Sequence, residues 1–319
     1  AKAGAEKIAV RVSAVVPLNA LVTRFEFQRQ DGARFPTFSG GAHTVVEMND
    51  DGRTRLNPYS LMSDPADTST YAISVRRDDE GRGGSLFMHQ RVKVGDVMNI
   101  TYPVNLFSLD LRARKHLFFA GGIGITPFMS MIEQLERSNG NWELHYAVRS
   151  EDLGTYVDVL SYKYPNKVHI YYDDQNHAID LESLLDGQPL GTNAYVCGPK
   201  GMIDWVHAKA AAGPDAQAHS EEFTAPQPGK PFEVRLCKTE KTINVGEQES
   251  LLEALEREGV DTPFLCRGGA CGQCETDVVS YHGEFVHRDH WLDDEERSSG
   301  TKIMPCVSRF VGDSLELDR

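Results

Sequence analysis

The chain has 319 residues, 40% hydrophobic and 25% charged, which suits two or three globular domains and excludes wholesale disorder. A net charge of −14, from 47 acidic and 33 basic residues, opposes general nucleic-acid affinity, which rests on neutralising phosphates. The best N-terminal apolar stretch, Ile8 to Val22, is broken by Arg11 and Pro17, so no membrane span or secretory leader is expected and a cytoplasmic setting is.

Short alternating runs fill the first hundred residues. Val22–Phe27, His43–Met48, Tyr71–Arg77 and Val97–Tyr102 read as strands separated by Gly, Asp, Asn and Pro turns, which suggests an antiparallel barrel. The pattern changes at His116–Ala120, an apolar run ending in Gly121-Gly122 and followed by a helical period at Phe128, Ile132 and Leu135. A strand at Trp142–Val148, a helix around Asp152–Tyr162 and a strand at Val168–Tyr172 come next. A short helix at Leu181–Leu185, a strand at Ala194–Cys197 and a helix from Lys200 complete the series. Such alternation predicts a parallel sheet with crossover helices. Thr224–Pro231, TAPQPGKP, reads as a linker. Beyond it, Phe232–Leu236 alternates as a strand, and Ser250-Leu-Leu-Glu253 is a capping box opening a helix that Gly259 can close. Three units follow: residues 1–110, 111–223 and 232–319, with 224–231 as the linker.

Six cysteines are present, and four of them carry a pattern. Cys266, Cys271, Cys274 and Cys306 are spaced C-x4-C-x2-C with the fourth after 31 further residues, the plant-type [2Fe–2S] spacing. Gly268, Gly269 and Gly272 let the backbone curl around a compact core and turn N–H groups toward its sulfurs. A structural zinc site is the alternative, although it usually pairs two CxxC knuckles. Cys237 lacks a partner at ligand spacing and reads as a small buried hydrophobe.

The segment CRGGACGQC, Cys266 to Cys274, resembles the cluster loop of plant-type ferredoxins. With the barrel and the α/β unit before it, the whole chain resembles the phthalate dioxygenase reductase family. That resemblance implies an antiparallel flavin-binding β-barrel, a parallel α/β nucleotide-binding domain and a C-terminal β-grasp ferredoxin-like domain. Arg55-Leu-Asn57-Pro-Tyr59-Ser60 is similar to the family's Arg-x-Tyr-Ser segment, where the tyrosine and serine line the isoalloxazine. Here Asn57 stands two residues before the tyrosine, and the nearest arginine, Arg55, four before it. By the same likeness Ser74, Val75 and Arg76 border the flavin. Gly83, Gly84 and Ser85, ahead of a helix starting near Leu86, resemble the FMN phosphate loop and favour FMN over FAD.

The run Gly121-Gly122-Ile-Gly124-Ile-Thr126-Pro127 gives a pyrophosphate close backbone access, with Thr126 as the expected N-cap and Pro127 as the first helical residue. In the family the equivalent loop lies between dinucleotide and flavin. Cys197-Gly198-Pro199 is similar to the family's Cys-Gly-Pro near the nicotinamide, and Phe223 to the phenylalanine packed near the flavin. Asp173, at a strand end, can bind ribose hydroxyls and repel a 2′-phosphate, and the resemblance implies NADH. Arg149-Ser150 would instead admit NADPH.

The activity implied is an NADH-dependent FMN and [2Fe–2S] reductase, the reductase component of a Rieske-type oxygenase or demethylase system. A self-contained flavoenzyme reducing a small molecule or dioxygen is the alternative, and a non-enzymatic ferredoxin-like or zinc-scaffold protein is a third reading. Residues 232–319 carry 19 acidic and 10 basic side chains against 28 and 23 in the rest, with Asp293–Glu296 the densest run. This asymmetry suggests a basic partner surface.

Overall fold

The computed structural model describes residues 6–212, 216–223 and 226–319. The first unit contains β1 (Lys7–Pro17), β2 (Val22–Arg29), β3 (His43–Asp50), β4 (Arg53–Ser60), β5 (Tyr71–Arg76), α1 (Gly84–Arg91) and β6 (Val97–Thr101). The strands form an antiparallel sheet in the order β4-β3-β6-β1-β2-β5. It curls until its ends meet, where Met62 N–H donates to the Ala72 carbonyl at 2.8 Å. Val10, Val12, Phe25, Phe27, Val46 and Ile73 point inward and are fully buried. The sequence reading missed β1, and it gave no alternation for β4, whose RTRLNPYS is mostly polar and half-buried.

The second unit runs β7 (Lys115–Gly121), α2 (Thr126–Arg137), β8 (Trp142–Val148), α3 (Val157–Lys163), β9 (Val168–Tyr172), α4 (Leu181–Leu185), β10 (Thr192–Cys197), α5 (Lys200–Ala212) and β11 (Ala216–Glu221). Its sheet is parallel throughout, in the order β11-β10-β7-β8-β9. Successive residues of β7 feed opposite faces. Phe118 packs with Phe128, Trp142 and Tyr195, while Leu117 and Phe119 pack with Val196 and Val206.

The structure departs from two expectations and adds one strand. The helix placed at Asp152–Tyr162 is a 3-10 turn at Glu151–Leu153 followed by α3, because Gly154 and Tyr156 (φ +65°) break the run. Edge strand β11 was not foreseen, since AQAHSE has no regular apolar alternation. Thr126 is not the N-cap: a 3-10 turn over Gly122–Ile125 runs straight into α2, and the Thr126 hydroxyl donates back to the Ile123 carbonyl at 3.0 Å.

The third unit has β12 (Phe232–Leu236), β13 (Lys241–Val245), α6 (Leu251–Arg257), β14 (Thr276–Val286), α7 (Asp294–Ser299), β15 (Lys302–Ile303) and β16 (Arg309–Leu317). The sheet order is β13-β12-β16-β14-β15, with Leu251, Ala254 and Leu255 of α6 buried in its core. The capping box forms as expected: Ser250 Oγ accepts from Glu253 N–H at 3.2 Å, and Glu253 Oε2 accepts from Ser250 N–H at 2.8 Å. Thr224 and Ala225 of the expected linker lie outside the described residues. Its later part is strapped to the third unit, because the buried Arg309 guanidinium donates to the carbonyls of Gly229, Lys230, Gly246 and Glu249. Among the described residues no helix is long and apolar enough to cross a membrane.

Candidate functional site

A cavity of about 520 Å³ opens where the three units meet. Asn57, Tyr59 and Ser60 of β4 line it, with Ser74 and Arg76 of β5 and Gly83, Gly84 and Ser85 at the start of α1. Thr126, Phe223, Cys266, Gly268 and Ala270 complete much of the wall. Alternation along β4 puts Asn57 and Tyr59 on one face, where the Asn57 amide donates to the Tyr59 hydroxyl at 3.3 Å. Gly84 packs against them, and a Cβ there would sit 2.4 Å from Asn57 Nδ2 and displace its amide.

The start of α1 is an anion site by construction. Gly83 caps it at φ +91° with no side-chain hydrogen bond, leaving the first N–H groups free for a ligand. Arg55 stands behind this turn rather than in the cavity lining. It donates to the Arg82 carbonyl, pairs with Asp50 at 3.5 Å, and leaves a buried Nε without a partner. Arg82 reaches in the other direction, to Glu253 of α6 at 2.6 and 3.2 Å.

Sequence reasoning passed over two buried polar groups in the wall, His43 and Glu221. Burial holds the His43 imidazole down to about 4, and its Nε2 is without a protein partner. Burial raises the Glu221 carboxyl to about 8, and its Oε2 is likewise unpartnered. The buried Ser60 hydroxyl faces Glu221 and offsets only part of the effect of burial on its carboxyl. Tyr59 is pushed up to about 12 by burial. At neutral pH this part of the wall therefore offers neutral polar groups with vacant hydrogen-bonding capacity, which fits the polar edge of an isoalloxazine. No local pattern marks His43 or Glu221, because their roles arise only from tertiary convergence.

Other expected positions have further roles or fall outside the lining. Val75 points into the barrel core, and its carbonyl accepts from His89 Nε2 at 2.8 Å. Ser74 bonds the Tyr156 hydroxyl at 2.7 Å, tying the first unit to the second. Cys197 is fully buried, and its carbonyl lies where a Cβ on Gly124 would be, 2.2 Å away. Gly198 likewise packs on Gly121, so these glycines first serve loop-on-loop packing; Gly122, at φ +54°, faces open space. Asp173 is exposed at the C-terminal end of β9, where Asp174 N–H donates to the Arg149 carbonyl at 3.0 Å. That crevice outside the strand ends is where parallel sheets bind nucleotides.

The four cysteines converge beside the cavity. Arg267, Gly269 and Gly272 take positive φ, and a Cβ on Gly272 would meet the Trp291 ring at 2.3 Å. Gly268 N–H points at Cys266 Sγ at 3.4 Å. Cys266 and Cys271 share a hydrogen bond, as do Cys274 and Cys306. The sharing lowers the first thiol of each pair and raises the second. The cysteines thus meet as two pairs, Cys266 with Cys271 and Cys274 with Cys306, an arrangement that suits a core with two metal ions. Cys237 is partly exposed beside Glu316, not buried as expected, and lies away from the four.

Comparison with known proteins agrees with this geometry. Residues 234–311 match the 2Fe-2S iron-sulfur cluster binding domain, and residues 102–219 match the dimethylamine monooxygenase subunit DmmA-like N-terminal domain. The solved structure of phthalate dioxygenase reductase superposes with a TM-score of 0.89 at 33% identity, over 98% of both chains. The chain belongs to the phthalate dioxygenase reductase family. Relatives within it include the haem-dependent oxidative N-demethylase beta subunit of Ectopseudomonas mendocina, 43% identical over 97% of this chain and 98% of the relative. The carnitine monooxygenase reductase subunit of Acinetobacter baumannii is also 43% identical, over 96% of each chain. Like its family, the chain is an oxidoreductase built for a flavin, a pyridine nucleotide and a [2Fe–2S] cluster.

Two outcomes test the site. Cys306→Ser is expected to lose most of the iron and visible cluster absorption, whereas Cys237→Ser keeps both; equal loss from the two would contradict the ligand set. The second concerns Glu221, whose folded carboxyl holds its proton up to about pH 8 while the unfolded chain releases it near 4.5. The folded state then binds more protons between these values, so this group's contribution to stability falls as pH rises through the window. In flavin-free protein, Glu221→Gln should gain in urea midpoint relative to wild type from pH 5 to 8. Parallel midpoint profiles would refute the buried-acid assignment.

Proposed function

We propose that the chain is the reductase component of an oxygenase or demethylase system, moving electrons from NADH through FMN and the cluster to a separate Rieske-type oxygenase. The observation that carries this reading is the shared cavity, whose wall includes Tyr59, Ser60, the α1 start and the cluster loop. When bound, the cofactors supply hydride acceptance and one-electron relay. The chain supplies position: the Tyr59 ring and Phe223 flank a planar ligand, and Ser60, His43 and Glu221 offer hydrogen bonds to its edge. The uncapped α1 start with Gly83, Gly84 and Ser85 suits a terminal phosphate, which supports FMN rather than FAD. Thr126, Gly122, Gly124, Cys197 and Gly198 would border the nicotinamide. Asp173 would receive the adenosine ribose, favouring NADH over NADPH. Three separate apolar cores support a division into three units near 1–110, 111–223 and 232–319, with Phe107 and Leu109 already packed in the second core.

A second acceptor has specific support. The haem-dependent N-demethylase relative and the DmmA-like match favour an amine-oxidising haem subunit as the partner. NADH consumption by the protein alone, with a Rieske oxygenase and with a haem-dependent demethylase subunit separates these readings. Slow turnover alone, acceleration by the Rieske component and a preference for NADH over NADPH of at least about tenfold are expected, with transfer slowing as salt rises. Rapid turnover with dioxygen alone would instead indicate a self-contained flavoenzyme.

A further inference from the structure

The loop that begins α1 has a second set of bonds, directed away from the cavity. Arg82, between Gly81 and Gly83, has a side chain only 7% exposed, and it forms a two-pronged pair with Glu253, itself 14% exposed. Arg82 Nη1 also donates to the Gln248 carbonyl at 3.2 Å. Glu253 is the third residue of α6 and simultaneously caps that helix through Ser250 N–H. One turn further along α6, Glu256 pairs with the buried Arg267, the residue after the first cluster cysteine. The Arg267 guanidinium stacks on Phe264, 4.0 Å from the ring centre. A single turn of helix therefore connects the phosphate loop of the first unit to the cluster loop of the third.

We infer that Arg82 and Glu253 are positioning residues that set the flavin-to-cluster separation, by fastening α6 to the phosphate loop. The inference rests on the functional reading above and deepens it. A bidentate guanidinium–carboxylate pair fixes orientation as well as distance, and its low exposure limits screening by salt. A second tie, Glu222 to His290 at 3.3 Å, joins the second and third units beside the cluster loop but does not involve α6. Loss of the Arg82 pair would therefore leave the third unit attached while freeing α6 to shift.

The test is stopped-flow reduction of the oxidised holoenzyme by NADH, following flavin bleaching and cluster bleaching separately. Glu253→Gln is the main variant, since glutamine at the third helical position still caps Ser250 N–H. Its flavin content, iron content and NADH-to-flavin rate should stay within about twofold of wild type. Its flavin-to-cluster rate should fall at least about threefold, because electron transfer weakens steeply as the separation grows and the variant leaves the earlier hydride step untouched. Arg82→Gln should reach the same slow rate, and the double variant should be no slower than either single, as for two ends of one contact. Hydrogen exchange on the oxidised proteins should be faster in α6 and in residues 80–84 of the variants. If Arg82→Gln loses flavin, Glu253→Gln decides alone. Unchanged cluster reduction with wild-type exchange protection, or additive effects in the double variant, overturns the inference. Wild-type protein that reduces its flavin but never its cluster would overturn the functional reading itself, and this inference with it.

Discussion

Between Cys266 and Cys274 the backbone must bend around sulfur while its outer edge forms a wall of the cavity shared by all three units. Side chains would obstruct both tasks, which is why Gly268, Gly269, Ala270 and Gly272 fill the loop. Gly269 and Gly272 adopt positive φ, and each lies too close to Asp289, Val307 or Trp291 for a Cβ to fit without movement. From this constraint follows the position of the third unit, since its cluster loop has to reach Tyr59, Ser60 and Phe223 across the junction. The straps that hold it there are polar and specific: Arg82 to Glu253, Glu222 to His290, and Arg309 to the linker carbonyls.

Charge is distributed along the cavity in a way that matches a flavin. At one end the uncapped start of α1 supplies partial positive charge, with the Arg55 guanidinium behind it. At the other, burial keeps His43, Tyr59 and Glu221 neutral near pH 7, so the ring end meets hydrogen-bonding groups without net charge. The acidic run Asp293–Glu296 has a partly local explanation: Asp293 and Glu296 form a capping box on α7, and Glu296 also pairs with Lys302. Asp294, fully exposed and only 4.0 Å from Arg297, and Glu295 add to the negative field of the third unit.

Elements with strong apolar periodicity were legible in the sequence. Trp142–Val148, Val168–Tyr172, Leu181–Leu185 and Phe232–Leu236 match the structure end to end. The strands that escaped were β1, β4, β11, β13, β14, β15 and β16. Of these, β14 is exposed for most of its length, so neighbouring strands rather than alternation specify it. In the site, the cysteine spacing and the glycine loops were readable because each is a local geometric requirement. His43, Arg82 and Glu221 were not, because isolated polar residues in a strand or loop carry no such signature. Asp152–Tyr162 failed for a related reason: the left-handed turn at Tyr156 is set by its contact with Ser74 in another unit.

A junction that holds flavin and cluster in one chain would let electrons from the reduced pyridine nucleotide reach the cluster without a second molecule. The rate of cluster reduction after rapid mixing with saturating NADH, measured across a hundredfold range of protein concentration, tests this most directly. A first-order rate that does not change with protein concentration is the predicted result. A rate that rises in proportion to protein concentration would mean transfer between chains, and would contradict the shared cavity as the electron path.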